Sequence, residues 1–164
     1  MISVGIVGAS GYTGEELTKI LQSHPEVKIT SLTSRTHAGK QINDVFKLTE
    51  PISGEFKLPI FENLSTCDLV FFATPNGIAM GMTQELIENN IKVIDISADF
   101  RLSDPMLWEK WYGKTHETPS LLKESVYGLP EIPGQKKKIN EGKIVANPGC
   151  YPTSVLLALL PICK

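Results

Sequence analysis

Short β-branched apolar runs alternate with helical segments along this chain, and the first run ends in a glycine-rich turn. Together these predict an α/β protein: an open parallel sheet with helices on both faces. Strand, helix, strand in this order implies right-handed crossovers, which lay successive strands parallel. The chain has 164 residues, enough for one domain with a core of its own. Hydrophobic residues make up 41% and charged residues 21%, the balance of a folded globular chain and not of a disordered one.

The elements follow in order. Ile2 to Val7 is short, β-branched and closed by glycine, so it reads as a buried strand. Thr13 to Leu21 places Leu17, Ile20 and Leu21 at helical spacing. Val27 to Leu32 is a second strand. Thr33 to Pro59 is polar and irregular, with Phe46 and Leu48 as candidate anchors. Asp68 to Ala73 is a buried strand, and Gly77 to Asn89 a helix with Met82, Leu86 and Ile87 on one side. Lys92 to Ile96 is another strand. Asp104-Pro105 opens a short helix, an N-cap residue followed by proline, whose Leu107, Trp108, Trp111 and Tyr112 form an apolar face. Gly113 to Gly142 reads as loop, Lys143 to Ala146 as a last strand, and Pro152 to Leu160 as a last helix.

Composition excludes several functions. The net charge is −2, so no electrostatic argument supports binding to nucleic acid or to an anionic membrane. The triplet Lys136-Lys137-Lys138 reads as a solvated loop. Cys67, Cys150 and Cys163 give neither a disulfide framework nor a zinc spacing, so no metal is expected and a reducing cytoplasm is the expected location. The start lacks the basic flank of a signal peptide. The longest apolar stretch, Val155 to Leu160, is too short to span a bilayer.

The turn Gly8-Ala9-Ser10-Gly11-Tyr12-Thr13-Gly14 joins the first strand to the first helix. Its glycines fall at spacings of three, a variant of the dinucleotide fingerprint. The physical need is the same: a sharp turn, close approach of backbone N–H groups to a pyrophosphate, and a helix N-terminus aimed at it. Ser10 and Thr13 add hydroxyl donors. The expected fold is therefore Rossmann-like. Where the second strand ends, an NAD site generally puts a carboxylate on the ribose diol. This chain has Thr33-Ser34-Arg35-Thr36. Ser34 and Arg35 suit the extra phosphate of NADP, although an arginine there can also be a solvated surface residue. Ala73-Thr74-Pro75-Asn76-Gly77 closes another strand at the ligand edge, with Pro75 toward the nicotinamide side.

Asn147-Pro148-Gly149-Cys150-Tyr151-Pro152-Thr153 places one cysteine at the mouth of a helix. Helix N-termini favour anions. A thiol there can fall from about 8.5 to roughly 3.5–7.5, and the thiolate is the nucleophile. Asn147 is close enough to orient a carbonyl or supply an oxyanion donor. Cys67 leads directly into a core strand and reads as inert. Arg101, in Ser97-Ala98-Asp99-Phe100-Arg101, can clamp a phosphate or carboxylate or can pair with Asp99. Glu131, after Tyr127-Gly128-Leu129-Pro130, either shapes the site or caps a turn. His24, His37 and His116 lack metal spacing, and none stands out as a base.

The glycine turn, Ser34-Arg35, Val93 to Leu102, Tyr127 to Glu131 and Asn147 to Thr153 together resemble the N-acetyl-gamma-glutamyl-phosphate reductases of arginine biosynthesis. The matching stretches run through nearly the whole chain in the family's order. The glycine turn alone is shared with aspartate-semialdehyde dehydrogenases. The resemblance implies NADPH as cofactor, a small-molecule acyl phosphate as substrate, a thioester on Cys150, Arg101 on the phosphate or carboxylate and Asn147 on the reacting carbonyl. It also implies a homo-oligomer for full-length members. Asn76 stands where the family often has histidine. The family also carries about as many residues again after the cysteine, including a substrate and subunit-contact domain and a histidine acid/base. Residues 1–164 are thus expected to form the NADP-binding domain alone, truncated before the second domain and of uncertain activity. Two other readings stand beside this one: a reductase of an aspartyl or aminoadipyl phosphate, and a nucleotide-binding module without catalysis.

Overall fold

The structure, a computed structural model, describes residues 1–46 and 51–163. Its strands are β1 (Ile2–Val7), β2 (Val27–Thr33), β3 (Leu69–Phe72), β4 (Lys92–Asp95), β5 (Ser125–Tyr127) and β6 (Ile144–Ala146). Its helices are α1 (Tyr12–Gln22), α2 (Ile42–Val45), α3 (Met80–Glu88), α4 (Pro105–Tyr112), α5 (Gln135–Glu141) and α6 (Cys150–Leu159). One sheet takes the order β2-β1-β3-β4-β6-β5 with every pairing parallel.

Side chains along the central strands alternate between two cores, because successive residues of a strand point to opposite faces. Val70 and Phe72 of β3 join α3 (Met80, Leu86, Ile87) and α4 (Trp108) on one side. Val4 and Ile6 of β1 join α1 (Leu21), Leu32, Ile42, Phe46 and Phe56 on the other. Helices therefore cover both faces, as the apolar runs predict. The chain leaves β1 for β2 on one side and places β3 and β4 on the other. The direction of winding changes between β1 and β3, and the crevice at the carboxyl ends of such strands is where ligands bind in open α/β sheets.

Several expectations need correction. The predicted loop from Gly113 to Gly142 holds an edge strand, β5, and a helix, α5, which contains the lysine triplet. Helix α3 begins at Met80 instead of Gly77, because Gly77 sits at φ 92°, outside helical space. Helix α6 begins at Cys150, two residues before Pro152. The irregular stretch after β2 contains α2 and is anchored by Phe46, whose ring meets Phe56 edge-on at 5.1 Å. Leu48 lies outside the described residues. Of the proposed apolar face on α4, only Trp108 is core. Trp111 is 72% exposed, and Tyr112 stacks on Trp108 at 4.9 Å. Ile20 likewise faces outward from α1.

Candidate active site

The glycine turn after β1 is built from main-chain contacts. Gly8 takes φ 80°, and the N–H groups of Gly8 and Ala9 both donate to the Thr33 carbonyl. A Cβ on Gly8 would stand 2.5 Å from the Ala73 carbonyl oxygen, and one on Gly14 would stand 2.5 Å from that of Gly8. These two glycines let β1, α1 and the β3 loop approach. Gly11 differs: a Cβ there would meet only the Gly8 oxygen, at 3.5 Å. Its lack of a side chain is not required by packing and leaves the turn bare toward solvent. Gly11 is also the N-cap of α1 and offers no side-chain cap, so the first-turn N–H groups remain open.

The turn opens onto a cleft of about 340 Å³ lined by Gly8, Ser10, Gly11, Ser34, Arg35 and Pro75, among others. An adjoining hollow of about 280 Å³ brings in Tyr12, Thr13 and Ile96, and both share Gly11, Ala73, Thr74 and Pro75. Every residue read from the sequence as cofactor-binding, apart from the packed Gly14, lines one or other of these spaces. Ser34 is more than a ligand candidate. It is buried, its Oγ lies 2.7 Å from Ser10 Oγ, and it accepts the His37 N–H at 3.1 Å. It thereby ties the end of β2 to the glycine turn. Arg35 is exposed, with no carboxylate paired to it among the described residues. Tyr12 is 94% exposed, so its ring contributes a wall of the hollow and no core packing.

These residues fit a dinucleotide. Thr74 lines both spaces, and its buried hydroxyl has no hydrogen-bond partner among the described residues. An unpaired buried hydroxyl is costly, and a ligand's polar group would satisfy it. Among the described residues no acidic one lines the cleft, which suits a phosphate-rich guest.

Cys150 is the first residue of α6, exposed, with Gly149 as N-cap. It faces a hollow of about 390 Å³ shared with Arg101, Leu102, Tyr112 and Tyr127. Tyr112 was read from the sequence as part of an apolar helix face and Tyr127 as the start of a turn, neither as a site residue, since α4 and β5 bring them here from separate parts of the chain. Asn147 continues β6. Its N–H donates to the Asp95 carbonyl at 2.8 Å, and its amide Nδ2 donates to the Pro148 carbonyl at 3.1 Å.

Arg101 does not pair with Asp99. Its Nε donates to the Asn147 carbonyl at 2.7 Å and its Nη2 to the Ile96 carbonyl at 2.8 Å. Its Nη1 lies 3.3 Å from where a Cβ on Gly149 would sit. The guanidinium therefore braces the cysteine turn, and Nη1 is the edge left to face an anion in the hollow. Asp95 is fully buried and accepts from the N–H groups of Ser97 and Phe100 and from the Ser97 hydroxyl. Burial pushes its carboxyl up from the usual range, with the hydrogen bond from Ser97 acting against that.

Other candidates are set aside by their surroundings. His116 is buried, with Nε2 2.9 Å from the Asp99 carbonyl oxygen and Nδ1 accepting the Thr118 N–H at 3.2 Å. No histidine lines the Cys150 hollow. Glu131 is exposed and lines neither the dinucleotide cleft nor that hollow. Cys67 is buried with its thiol 3.4 Å from the Thr30 hydroxyl.

A glycine-turn cleft at the switch point and a helix-capped cysteine along the same sheet edge define a class of dinucleotide-binding domain. Residues 3–140 match the family described as "Semialdehyde dehydrogenase, NAD binding domain", and the chain belongs to that family. Curated relatives narrow the likeness. A protein of Nitrosomonas europaea named N-acetyl-gamma-glutamyl-phosphate reductase is 51% identical over 99% of this chain. One of the same name from Neisseria meningitidis is 49% identical over the same share. The chain spans about half the length of these relatives, 47% in each case. Among solved structures, aspartate semialdehyde dehydrogenase with NADP from Candida albicans superposes with a TM-score of 0.72 at 20% identity, over 99% of this chain and 46% of that one. Aspartate semialdehyde dehydrogenase II from Vibrio cholerae, complexed with ASA, also gives 0.72 at 20% identity, over 99% of this chain and 42% of that one. These superpositions establish the shared fold.

Proposed function

We propose that this chain is the NADP-binding, cysteine-bearing half of an N-acetyl-gamma-glutamyl-phosphate reductase. The observation that carries the reading is a shared edge. The glycine turn after β1, the Ala73–Gly77 loop after β3, the Arg101 loop after β4 and Cys150 after β6 all lie at the carboxyl ends of parallel strands. The names of relatives at about 50% identity favour the acetylglutamyl phosphate over an aspartyl or aminoadipyl one.

Gly8, Ser10, Gly11, Tyr12, Thr13 and Gly14 form the pyrophosphate turn in this reading. Arg35 would take the 2′-phosphate, Ser34 would brace the end of β2 beside it, and Pro75 with the Thr74 hydroxyl would line the nicotinamide side. NADPH, when bound, supplies a hydride. The Cys150 thiolate attacks the acyl carbon; a C–S bond forms, the C–O bond to phosphate breaks, and phosphate leaves with the electron pair. Reduction at the thioester carbon then breaks the C–S bond and returns the thiolate, with N-acetylglutamate semialdehyde as product. Arg101 Nη1 holds the anionic end of the substrate, and the Asn147 amide positions the carbonyl.

The rest of the protein would supply what residues 1–164 lack. Helix α6 buries none of its residues, although Val155, Leu157 and Leu159 are 54%, 42% and 48% exposed. A helix apolar on all sides belongs in an interior. A substrate and subunit-contact domain covering it, and bringing an acid/base group to Cys150, accounts for that face. Full-length forms would be homo-oligomers of the cytoplasm; among the described residues no helix is long and apolar enough to cross a membrane. The bare α6 also favours a second reading, in which the 164-residue chain binds NADP(H) without turnover.

Titration of the chain with NADPH and NADH, followed by nicotinamide fluorescence, tests the cofactor half of this reading. NADPH is expected to bind at least about tenfold more tightly, the effect of one charge-assisted phosphate contact. Equal affinities, or binding of neither, would contradict it.

A further inference from the structure

Helix α3 has no cap of its own: Ala79 precedes it and offers no side-chain acceptor. The cap comes from twenty residues further on. Asp99 is fully buried; its Oδ1 accepts the Gly77 N–H at 2.7 Å and its Oδ2 the Met80 N–H at 3.1 Å. No cation pairs with Asp99 among the described residues. A buried carboxylate is tolerable here because two main-chain donors and the positive end of α3 face it. The geometry serves more than α3. Gly77 ends the Ala73–Gly77 loop, whose Pro75 walls the dinucleotide cleft. Two residues beyond Asp99, Arg101 grips the Asn147 carbonyl and so the turn that carries Cys150.

We infer that Asp99 is a positioning residue that fixes the cleft wall and the cysteine turn in one relative placement. Its carboxylate holds the cleft loop, its own carbonyl is held through His116 Nε2, and Asp95 pins the same strap at the Ser97 and Phe100 N–H groups. The strap from Ile96 to Arg101 is therefore anchored at both ends, one under each half of the site. The importance of that placement for hydride delivery rests on the reductase reading; the mechanical tie itself does not.

Asp99→Asn keeps the shape but offers one acceptor where two are used, and turns an N–H₂ donor toward a main-chain donor. The test compares this variant with a control of matched thermal midpoint cut from the same core, such as Ile87→Val or Ile87→Ala. Iodoacetamide labelling of Cys150 is followed by peptide mass, without dinucleotide. Asp99→Asn should slow Cys150 by about twofold to fivefold, the range that a well-placed helix terminus contributes, while the matched control stays at the wild-type rate. Equal slowing in both variants, or no slowing in Asp99→Asn, overturns the tie. If Asp99→Asn does not fold, hydrogen exchange on the wild-type chain decides. Protected Gly77 and Met80 amides are expected, and unprotected rates overturn the proposal. A wild-type chain that fails to bind NADPH would sink the proposed function and leave both of these readouts able to judge the tie.

Discussion

At neutral pH, iodoacetamide labels Cys150 at least about 100-fold faster than Cys67, since a buried side chain reacts only through openings that cost a few kcal/mol. The two thiols differ in surroundings and in nothing else. Cys150 is exposed at the first residue of α6, and Cys67 is 5% exposed under the sheet. Burial pushes the Cys67 thiol up, against a smaller lowering by its hydrogen bond with Thr30. A raised thiol keeps its proton to higher pH, so thiolate at Cys67 is scarcer at pH 7 and its labelling climbs only in alkali. Cys163, exposed but past the end of α6, serves as the internal reference for an accessible thiol. Comparable rates at Cys150 and Cys67, measured by peptide mass over time, would remove the functional distinction between them.

Arg35→Ala weakens NADPH binding by about 10- to 100-fold, the cost of a hydrogen bond to a charged group, and leaves NADH within about twofold. Arg35 is exposed at the lip of the cleft with no carboxylate partner among the described residues, so the substitution breaks no ion pair found there and the fold should persist. Ser34 is the instructive contrast. Its hydroxyl is engaged by Ser10 and by the His37 N–H, so Ser34→Ala loosens the cleft for both dinucleotides and does not discriminate. Parallel titrations of the two variants separate a phosphate contact from a brace. Equal losses for NADPH and NADH in Arg35→Ala would place the 2′-phosphate elsewhere.

The parts of this site that are local in sequence were legible there. Gly14 is required by contacts within the turn it sits in, Gly8 takes the positive φ of that turn, and Cys150 is read from the residues on either side of it. Parts assembled at range were not. The Asp99 carboxylate reaches Gly77 and Met80 across a sheet crossover, and Asp99 looked equally able to pair with nearby Arg101. The three-residue strand β5 is too short to show an alternating pattern, and its half-buried residues match no period. α5 holds three lysines directly after Gln135, which read as loop because helix propensity without an apolar face gives no periodic signal. Trp111 shows the opposite failure. Helical spacing grouped it with Trp108, yet of the two only Trp108 is buried.

In the proposed reaction Cys150 accepts the acyl group of an acyl phosphate. Incubating the chain with N-acetyl-gamma-glutamyl phosphate, trapping at acid pH and mapping the adduct by peptide mass tests it most directly. One acyl group is expected on Cys150, removable by hydroxylamine, formed with release of inorganic phosphate and absent from Cys150→Ser. Acylation confined to lysines, or shared equally between Cys150 and Cys163, would contradict it.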